Sequence, residues 1–173
     1  NDTGRAQAAA AAEHLAGLGI ARVFASDLSR ADETARIVAG RCGVEVHTDA
    51  RLREVDVGSW SGLTIEEAGL REPDFWPALR EGRDFRRSPE GETATEAGRR
   101  VALALLDHAE AAGGDEVLLV VGHGLSLRVG ALLLLGLDYS HARLFRGLAN
   151  GHWLVVEPGE DHWRLSSYNV GAS

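Results

Sequence analysis

Apolar residues recur along the chain with two spacings, and these spacings predict an alternation of helices and strands. Apolar positions three and four residues apart predict helices over residues 2–18, 29–41, 92–112 and 125–135, the first of them capped by Asp2 or Thr3. Compact apolar runs predict strands over residues 21–26, 44–48, 117–121, 151–156 and 162–167. The run at 117–121 contains no polar residue, which is typical of a central strand in a parallel sheet.

This order of elements predicts a single α/β domain over residues 1–173, in three α/β/α layers, with a mostly parallel sheet and helices on both faces. Residues 52–91 are the least regular and contain three of the four prolines. We expect loops and short helices there, with residues 63–90 forming a lid or specificity segment over one end of the sheet. Ligands of such sheets bind at the carboxyl ends of the strands, where residues 26–30 and 122–124 leave two of them.

Composition narrows the classes of partner. The chain carries a formal net charge of −8, and an acidic chain is a poor partner for nucleic acid or an anionic membrane. Its 18 basic residues are all arginines, which excludes a lysine Schiff base and a P-loop. Cys42 is the single cysteine, so a disulfide within the chain and a cysteine zinc site are excluded. No signal peptide is visible and the longest apolar run is too short to span a bilayer, so we predict a cytoplasmic protein.

His123 is the most informative candidate for chemistry. It follows the apolar strand, precedes an apolar helix, and has Gly122 and Gly124 on its two sides. The amide of Gly124 would lie at a helix N-terminus, which favours anions. A histidine there can hold a phosphoryl group or move a proton. Its position alone fits a helix-capping or core histidine equally well, and the flanking glycines favour the functional interpretation.

Three further charged residues are ambiguous when each is taken alone. Arg30 starts a helix at the same sheet edge and could contact a phosphate, although a surface arginine is the more common case. Glu54 could donate a proton to a leaving oxygen, although a solvated loop charge is more common. Glu92 begins the long helix, where a carboxylate also simply complements the helix dipole. The other histidines have no metal-ligand spacing.

Two enzyme classes fail on their motifs. An α/β-hydrolase needs G-x-S-x-G, and residues 58–62 have Trp60 where the serine should be. A dinucleotide site needs G-x-G-x-x-G, and Leu127 stands in place of the third glycine after the strand at 117–121.

Five segments, in the right order, resemble the histidine phosphatase superfamily with its phosphoglycerate-mutase-like fold, and the resemblance covers essentially the whole chain. The segments are 4–8 (G-R-A-Q-A), 26–35 (S-D-L-S-R-A-D-E-T-A), 52–54 (L-R-E) with 58–62, 91–93 (G-E-T) and 120–124 (V-V-G-H-G). The resemblance implies that Arg30 binds phosphate, that Glu54 donates a proton and that His123 is the second catalytic histidine. Substrate contacts are expected from Arg30, Gly124, Glu92 and Ser26.

The family's nucleophile is a histidine in an R-H-G motif after its first strand. The printed residues contain no R-H-G and no methionine, and they begin at the segment that follows that motif in the family. We expect an N-terminal arm that carries the missing first strand and the nucleophile, because loss of a central strand would expose a long apolar edge. A true truncation is the alternative.

With such an arm, the resemblance implies a phosphomonoester hydrolase that acts through a phosphohistidine and needs no metal or other cofactor. The expected partner is a small phosphorylated metabolite, a phosphoglycerate or sugar-phosphate derivative, and neither nucleic acid nor a membrane is expected. The sequence is also compatible with a homodimer. Residues 63–90 are short for a mutase, which favours the phosphatase branch. Segments of the chain also resemble the glucosyl-3-phosphoglycerate phosphatases, and the α-ribazole phosphatases are a further branch. The alternatives are a phosphoglycerate-type mutase and a phosphate-binding module without a nucleophile; a nicotinamide oxidoreductase is a distant third.

Overall fold

The computed structural model describes residues 1–113 and 115–172. These residues form six α-helices and five strands. They are α1 (Asp2–Leu15), β1 (Ile20–Ala25), α2 (Ser29–Cys42), β2 (Val46–Thr48), α3 (Ile65–Arg71), α4 (Phe75–Glu81), α5 (Ala94–Ala112), β3 (Val117–Val121), α6 (Gly124–Leu134), β4 (Trp153–Pro158) and β5 (Trp163–Val170). Short 3₁₀ turns lie at Ala16–Leu18, Ala50–Leu52, Gly58–Trp60 and Tyr139–Leu144.

The strands form two sheets. The larger sheet is parallel, with the order β2-β1-β3, and it confirms the prediction of a parallel sheet crossed by helices. Ala25 at the end of β1 pairs with Thr48 on one side and Val121 on the other, so the three strands end at one common edge. The predicted closing pair, β4 and β5, is a separate antiparallel sheet of two strands.

Alternate residues of β1 pack against helices on opposite faces of the sheet, and this packing produces the three layers. Val23 and Ala25 are fully buried in a cluster with α1 and α2. Phe24 points the other way, into a cluster with residues of α5 and with Leu127 of α6. Because successive side chains of a strand point to opposite faces, both faces of the sheet are covered by helices, as predicted.

Helices α5 and α6 approach each other closely because glycines replace side chains at their contact. A Cβ atom added to Gly98 would lie 2.4 Å from Cγ1 of Val129, and one added to Gly130 would lie 2.4 Å from Cγ1 of Val101. Each glycine therefore receives a valine of the facing helix. This packing fixes the position of α6, whose first residue follows His123.

Several predicted boundaries need correction. Strand β1 begins and ends one residue earlier than expected, β2 begins two residues later, and β4 lies two residues further along the chain. The α1 cap is Asn1, whose side chain accepts from the amide of Gly4, rather than Asp2 or Thr3, because Asp2 is already the first helical residue. The α-helix ends at Leu15, and a 3₁₀ turn continues to Leu18. Helix α5 begins at Ala94 rather than at residue 92, because Thr93 is its cap in a capping box. Helix α6 begins one residue earlier than expected and ends at Leu134, and β5 runs three residues further, to Val170.

The irregular stretch contains the two short helices α3 and α4, packed over an aromatic cluster. Trp60, Phe75 and Phe85 pack edge-on or tilted, with ring centroids 5.5–6.5 Å apart. The carboxylate of Asp84 accepts hydrogen bonds from the first amides of α5, which ties residues 63–90 to the core. Three arginines of this segment are engaged within the protein: Arg83 with Asp74 and Glu81, Arg86 with Glu96, and Arg87 with Asp84 and the Phe85 ring.

None of the helices in the described residues is both long enough and apolar enough to cross a membrane.

Candidate active site

The predicted site residues that follow β1 and β3 meet at the carboxyl edge of the parallel sheet. Ser26 comes directly after β1, and its amide donates to the carbonyl of Val121 at the end of β3. Arg30 lies in the first turn of α2, and His123 lies between β3 and α6. Parallel pairing of adjacent strands therefore brings together residues about 95 positions apart in the chain.

His123 is buried, and both of its ring nitrogens have partners. Nε2 lies 2.9 Å from Oγ of Ser26, and Nε of Arg30 donates to Nδ1 over 3.1 Å. Because a guanidinium can only donate, Nδ1 must accept, and the ring proton then lies on Nε2 and is donated to Ser26. The two contacts fix both the tautomer and the orientation of the imidazole.

The surroundings favour the neutral ring. Burial lowers the pKa of His123 below its ordinary value of 6.5, and the positive charge of Arg30 lowers it further. The carboxylate of Glu54 acts in the opposite direction. His123 occupies the N-cap position of α6, yet its side chain makes no capping hydrogen bond. The contacts with Ser26 and Arg30 thus replace the capping role that its position allowed.

Glu54 caps α6 in place of His123. Its Oε1 accepts from the amide of Ser126 over 2.9 Å, and its Oε2 accepts from the amide of Leu125 over 3.3 Å. These amides belong to the first helical turn, where no intrahelical acceptor is available and the helix dipole favours an anion. The sequence predicts an anion at this helix terminus and a proton-donating carboxylate beside the site. In the structure, the carboxylate of Glu54 is itself the anion at the N-terminus of α6.

The two glycines beside His123 differ in what surrounds them. A Cβ atom on Gly122 would lie 3.1 Å from Leu127 and 3.2 Å from the carbonyl of Leu52, so this glycine serves close packing. A Cβ atom on Gly124 would meet only the carbonyl of Leu148, at an ordinary 3.5 Å. Of the two glycines, only Gly124 therefore leaves space beside its backbone for a ligand.

Glu92 is engaged by protein groups. Its carboxylate forms a bidentate pair with Arg100 and accepts the amide of Asp56 over 3.0 Å. The hydrogen bonds from Arg100 hold the pKa of Glu92 below its ordinary value, against the effect of burial. A contact between Glu92 and a substrate stays a prediction.

Sequence reasoning missed Arg100, which also donates to backbone carbonyls around Glu54. The available signal was proximity along the chain: Glu92 lies two residues before the first residue of α5, and Arg100 lies in the second turn of that helix.

A second ion pair crosses the edge of the site. Arg53 donates from Nε to the carboxylate of Asp27 over 2.7 Å, and thereby joins the loop that carries Glu54 to the loop that carries Ser26. Within the ranges that the structure describes, no three His, Cys, Asp or Glu side chains are grouped as metal ligands would be. The groups that meet at the described site are a guanidinium, an imidazole, a carboxylate and a helix N-terminus.

Known proteins share both this sequence pattern and this fold. Residues 1–171 match the family model of the histidine phosphatase superfamily (branch 1). A probable phosphoglycerate mutase of Yersinia enterocolitica is 36% identical over 167 residues, which are 96% of this chain and 77% of that protein. The mycobacterial glucosyl-3-phosphoglycerate phosphatase in complex with inorganic phosphate is 32% identical, with a TM-score of 0.83 over 99% of this chain and 87% of that chain.

The α-ribazole phosphatase of Shigella flexneri has the same fold, with a TM-score of 0.81 at 21% identity over 98% of this chain and 83% of that chain. The match of the family model over nearly the whole chain agrees with the five segments recognised in the sequence. The chain belongs to the histidine phosphatase superfamily, branch 1.

Proposed function

We propose that the protein hydrolyses phosphomonoesters of small metabolites through a phosphohistidine intermediate. The observation that carries the proposal is the contact of buried His123 with both Arg30 and Ser26 at the carboxyl edge of the sheet. Arg30 offers the charge and the donors that a phosphoryl group needs, and the Nε2–H of the imidazole, which donates to Ser26 in this structure, is a second donor that a phosphoryl group could take over. The mycobacterial phosphatase that this chain resembles is known with inorganic phosphate and with vanadate bound.

In the proposed reaction a nucleophilic histidine attacks phosphorus, so that an N–P bond forms as the P–O bond of the ester breaks. Glu54 protonates the leaving alkoxide, and Arg30, His123 and the amide of Gly124 stabilise the charge of the transferring group. Water then attacks phosphorus, the N–P bond breaks and phosphate leaves. The proposal is conditional on a nucleophile other than His123, and the printed residues contain no R-H-G motif to supply it.

The first experiment is an assay of the product of the complete natural gene, after its intact mass has been measured. The substrates are p-nitrophenyl phosphate and a panel of phosphoglycerates and sugar phosphates. We expect release of phosphate, inhibition by vanadate as a transition-state analogue, and a loss of at least about a hundredfold in kcat/KM for His123→Ala and for Arg30→Ala. Arg36→Ala is the matched control, because Arg36 is an exposed arginine on the same helix that pairs with Asp32.

Near-normal turnover in His123→Ala or Arg30→Ala would contradict the assigned roles. Binding of phosphate without turnover of any substrate would identify a phosphate-binding module instead. We infer that a metabolite carrying a phosphoglycerate or sugar-phosphate group is the substrate class, because the similar mycobacterial enzyme is a glucosyl-3-phosphoglycerate phosphatase.

A phosphoglycerate mutase is the second candidate, favoured by the 36% identity to the probable mutase of Yersinia enterocolitica. The shortness of residues 63–90 argues for the phosphatase. The two activities separate in one experiment, in which 3-phosphoglycerate is the substrate and its products are followed by phosphorus NMR. Release of phosphate faster than formation of 2-phosphoglycerate supports the phosphatase, and the reverse order supports the mutase.

A further inference from the structure

Arg100 uses every hydrogen-bond donor of its side chain on the loop that carries Glu54 and on Glu92. A guanidinium has five N–H donors. Nη1 donates to the carbonyls of Arg51 and Arg53 over 2.8 and 2.6 Å. Nη2 donates to the carbonyl of Glu54 over 2.7 Å. Nε and Nη2 complete the set on the two carboxylate oxygens of Glu92, over 3.0 and 2.7 Å.

Glu92 binds the same loop two residues beyond Glu54, at Asp56. Its Oε2 accepts from the amide of Asp56, while its own amide donates to the carbonyl of Asp56 over 2.7 Å. The side chains of Arg100 and Glu92 are mostly buried, with 22% and 26% of their surface exposed. We call these two residues the loop clamp. Together they bind the backbone on both sides of Glu54.

The clamp touches Glu54 only through its backbone. The carboxylate points elsewhere, to the amides of Ser126 and Leu125 at the start of α6. Arg100 lies near the start of α5, and α5 is packed on α6 through Gly98 and Gly130. Helix α5, through Arg100, therefore holds the backbone of Glu54, and helix α6, through its first amides, holds the carboxylate.

We propose that Arg100 and Glu92 are positioning residues that hold Glu54 where it can protonate the leaving group. The inference rests on the proposed function, and it assigns Glu92 a task different from contact with the substrate. Lysine cannot replace Arg100, because an ammonium group has three donors and no planar fork, whereas the clamp uses five donors in one plane.

The test exploits the leaving group. An alkoxide, such as that of glycerol 3-phosphate, needs a proton as it departs, whereas p-nitrophenolate leaves readily without one. General acid catalysis contributes typically about 10²- to 10⁴-fold, and only the alkyl substrate loses that contribution when the acid is misplaced. In the product of the complete natural gene, we expect Arg100→Lys to lower kcat on the alkyl phosphate at least about tenfold more than on p-nitrophenyl phosphate. Glu54→Gln sets the reference for this selectivity.

The matched control is Arg99→Lys, the same substitution at the exposed neighbouring position of α5. We expect it to leave both activities near the wild-type value. Glu92→Gln is the second clamp variant; it retains an acceptor for Arg100 and leaves the three carbonyl contacts in place. It should show the same selectivity in weaker form, and it carries the test if Arg100→Lys does not fold by circular dichroism and thermal melting.

The outcomes separate the inference from the proposed function. Selective loss in Glu54→Gln with equal losses on both substrates in the clamp variants would overturn the inference and leave the phosphatase standing. Equal losses of kcat on the two substrates in Glu54→Gln would show that Glu54 is not the general acid, and the clamp would then have no acid to position. Absence of turnover in the wild-type protein would remove the proposed function and this inference together.

Discussion

Replacement of Gly98 by alanine tests the packing that places α6 beneath the site. The new Cβ would lie 2.4 Å from Cγ1 of Val129 and 3.2 Å from Cδ1 of Leu133. Val129 is fully buried and cannot turn away into solvent. Overpacking of a core costs about 1–3 kcal/mol, and a contact this short belongs in the upper half of that range. Alanine offers about 1 kcal/mol of helix propensity in return, so we expect a net loss of about 1–2 kcal/mol in the free energy of unfolding.

The matched control is the same substitution at Gly40. Gly40 is an exposed residue of α2, and an added Cβ would meet no atom within 4 Å. Only the gain in helix propensity remains there, and we expect Gly40→Ala to raise the free energy of unfolding by about 0.5–1 kcal/mol. Urea unfolding of the two variants beside the wild-type protein should therefore give changes of opposite sign.

A double variant identifies the clash as the cause. Val129→Ala removes the Cγ atoms that the new Cβ meets, so Gly98→Ala should cost less in that background. We expect a coupling energy of at least about 0.5 kcal/mol between the two positions. If Gly98→Ala stabilises the protein as Gly40→Ala does, the close approach of α5 and α6 is wrong. The placement of α6 relative to Glu54 would then need revision as well.

Two further predictions concern buried polar groups. Ser26→Ala leaves the Nε2 proton of His123 without an acceptor, and we expect the free energy of unfolding in urea to fall by about 1–3 kcal/mol. The control is Ser166→Ala at an exposed position, which should change the free energy of unfolding by less than about 0.5 kcal/mol. Equal changes in the two variants would refute the contact between Ser26 and His123. Burial lowers the pKa of His108 in the folded protein below 6.5. As the pH falls from 7.5 to 5.5, the unfolded chain therefore binds a proton at His108 more readily than the folded protein does, and the free energy of unfolding falls. The slope contributed is at most about 1.4 kcal/mol per pH unit, and His108→Gln should flatten the measured dependence by up to that amount; an unchanged slope would contradict the prediction.

The sequence was sufficient to predict the sheet edge and the residues that meet there. The apolar strands at 20–25 and 117–121 each end in a loop with polar residues, and parallel pairing of adjacent strands leaves those loops side by side. For this reason Ser26, Arg30 and His123 could be assigned to one site before any contact was known. The residues of each loop directly follow their strand in the sequence, and the parallel pairing of the strands could be predicted from the order of strands and helices alone.

The roles of Glu54 and Arg100 could not be predicted in the same way. Glu54 reaches an amide 72 residues away, and Arg100 reaches carbonyls 46 to 49 residues away. Such contacts depend on how one irregular loop crosses two helices, and no periodic pattern encodes that crossing. The cap of α6 was missed for a related reason: the residue preceding the helix is a histidine, so the local sequence suggested a cap that the fold supplies from elsewhere.

The N-terminus of α6 is where the two parts of the proposed chemistry meet. The amides of Leu125 and Ser126 hold the carboxylate of Glu54, and the amide of Gly124, one residue earlier, is proposed to receive the phosphoryl group. One helix terminus thus serves both the carboxylate of Glu54 and the proposed phosphoryl site, and the loop clamp keeps the backbone of Glu54 in place beside it.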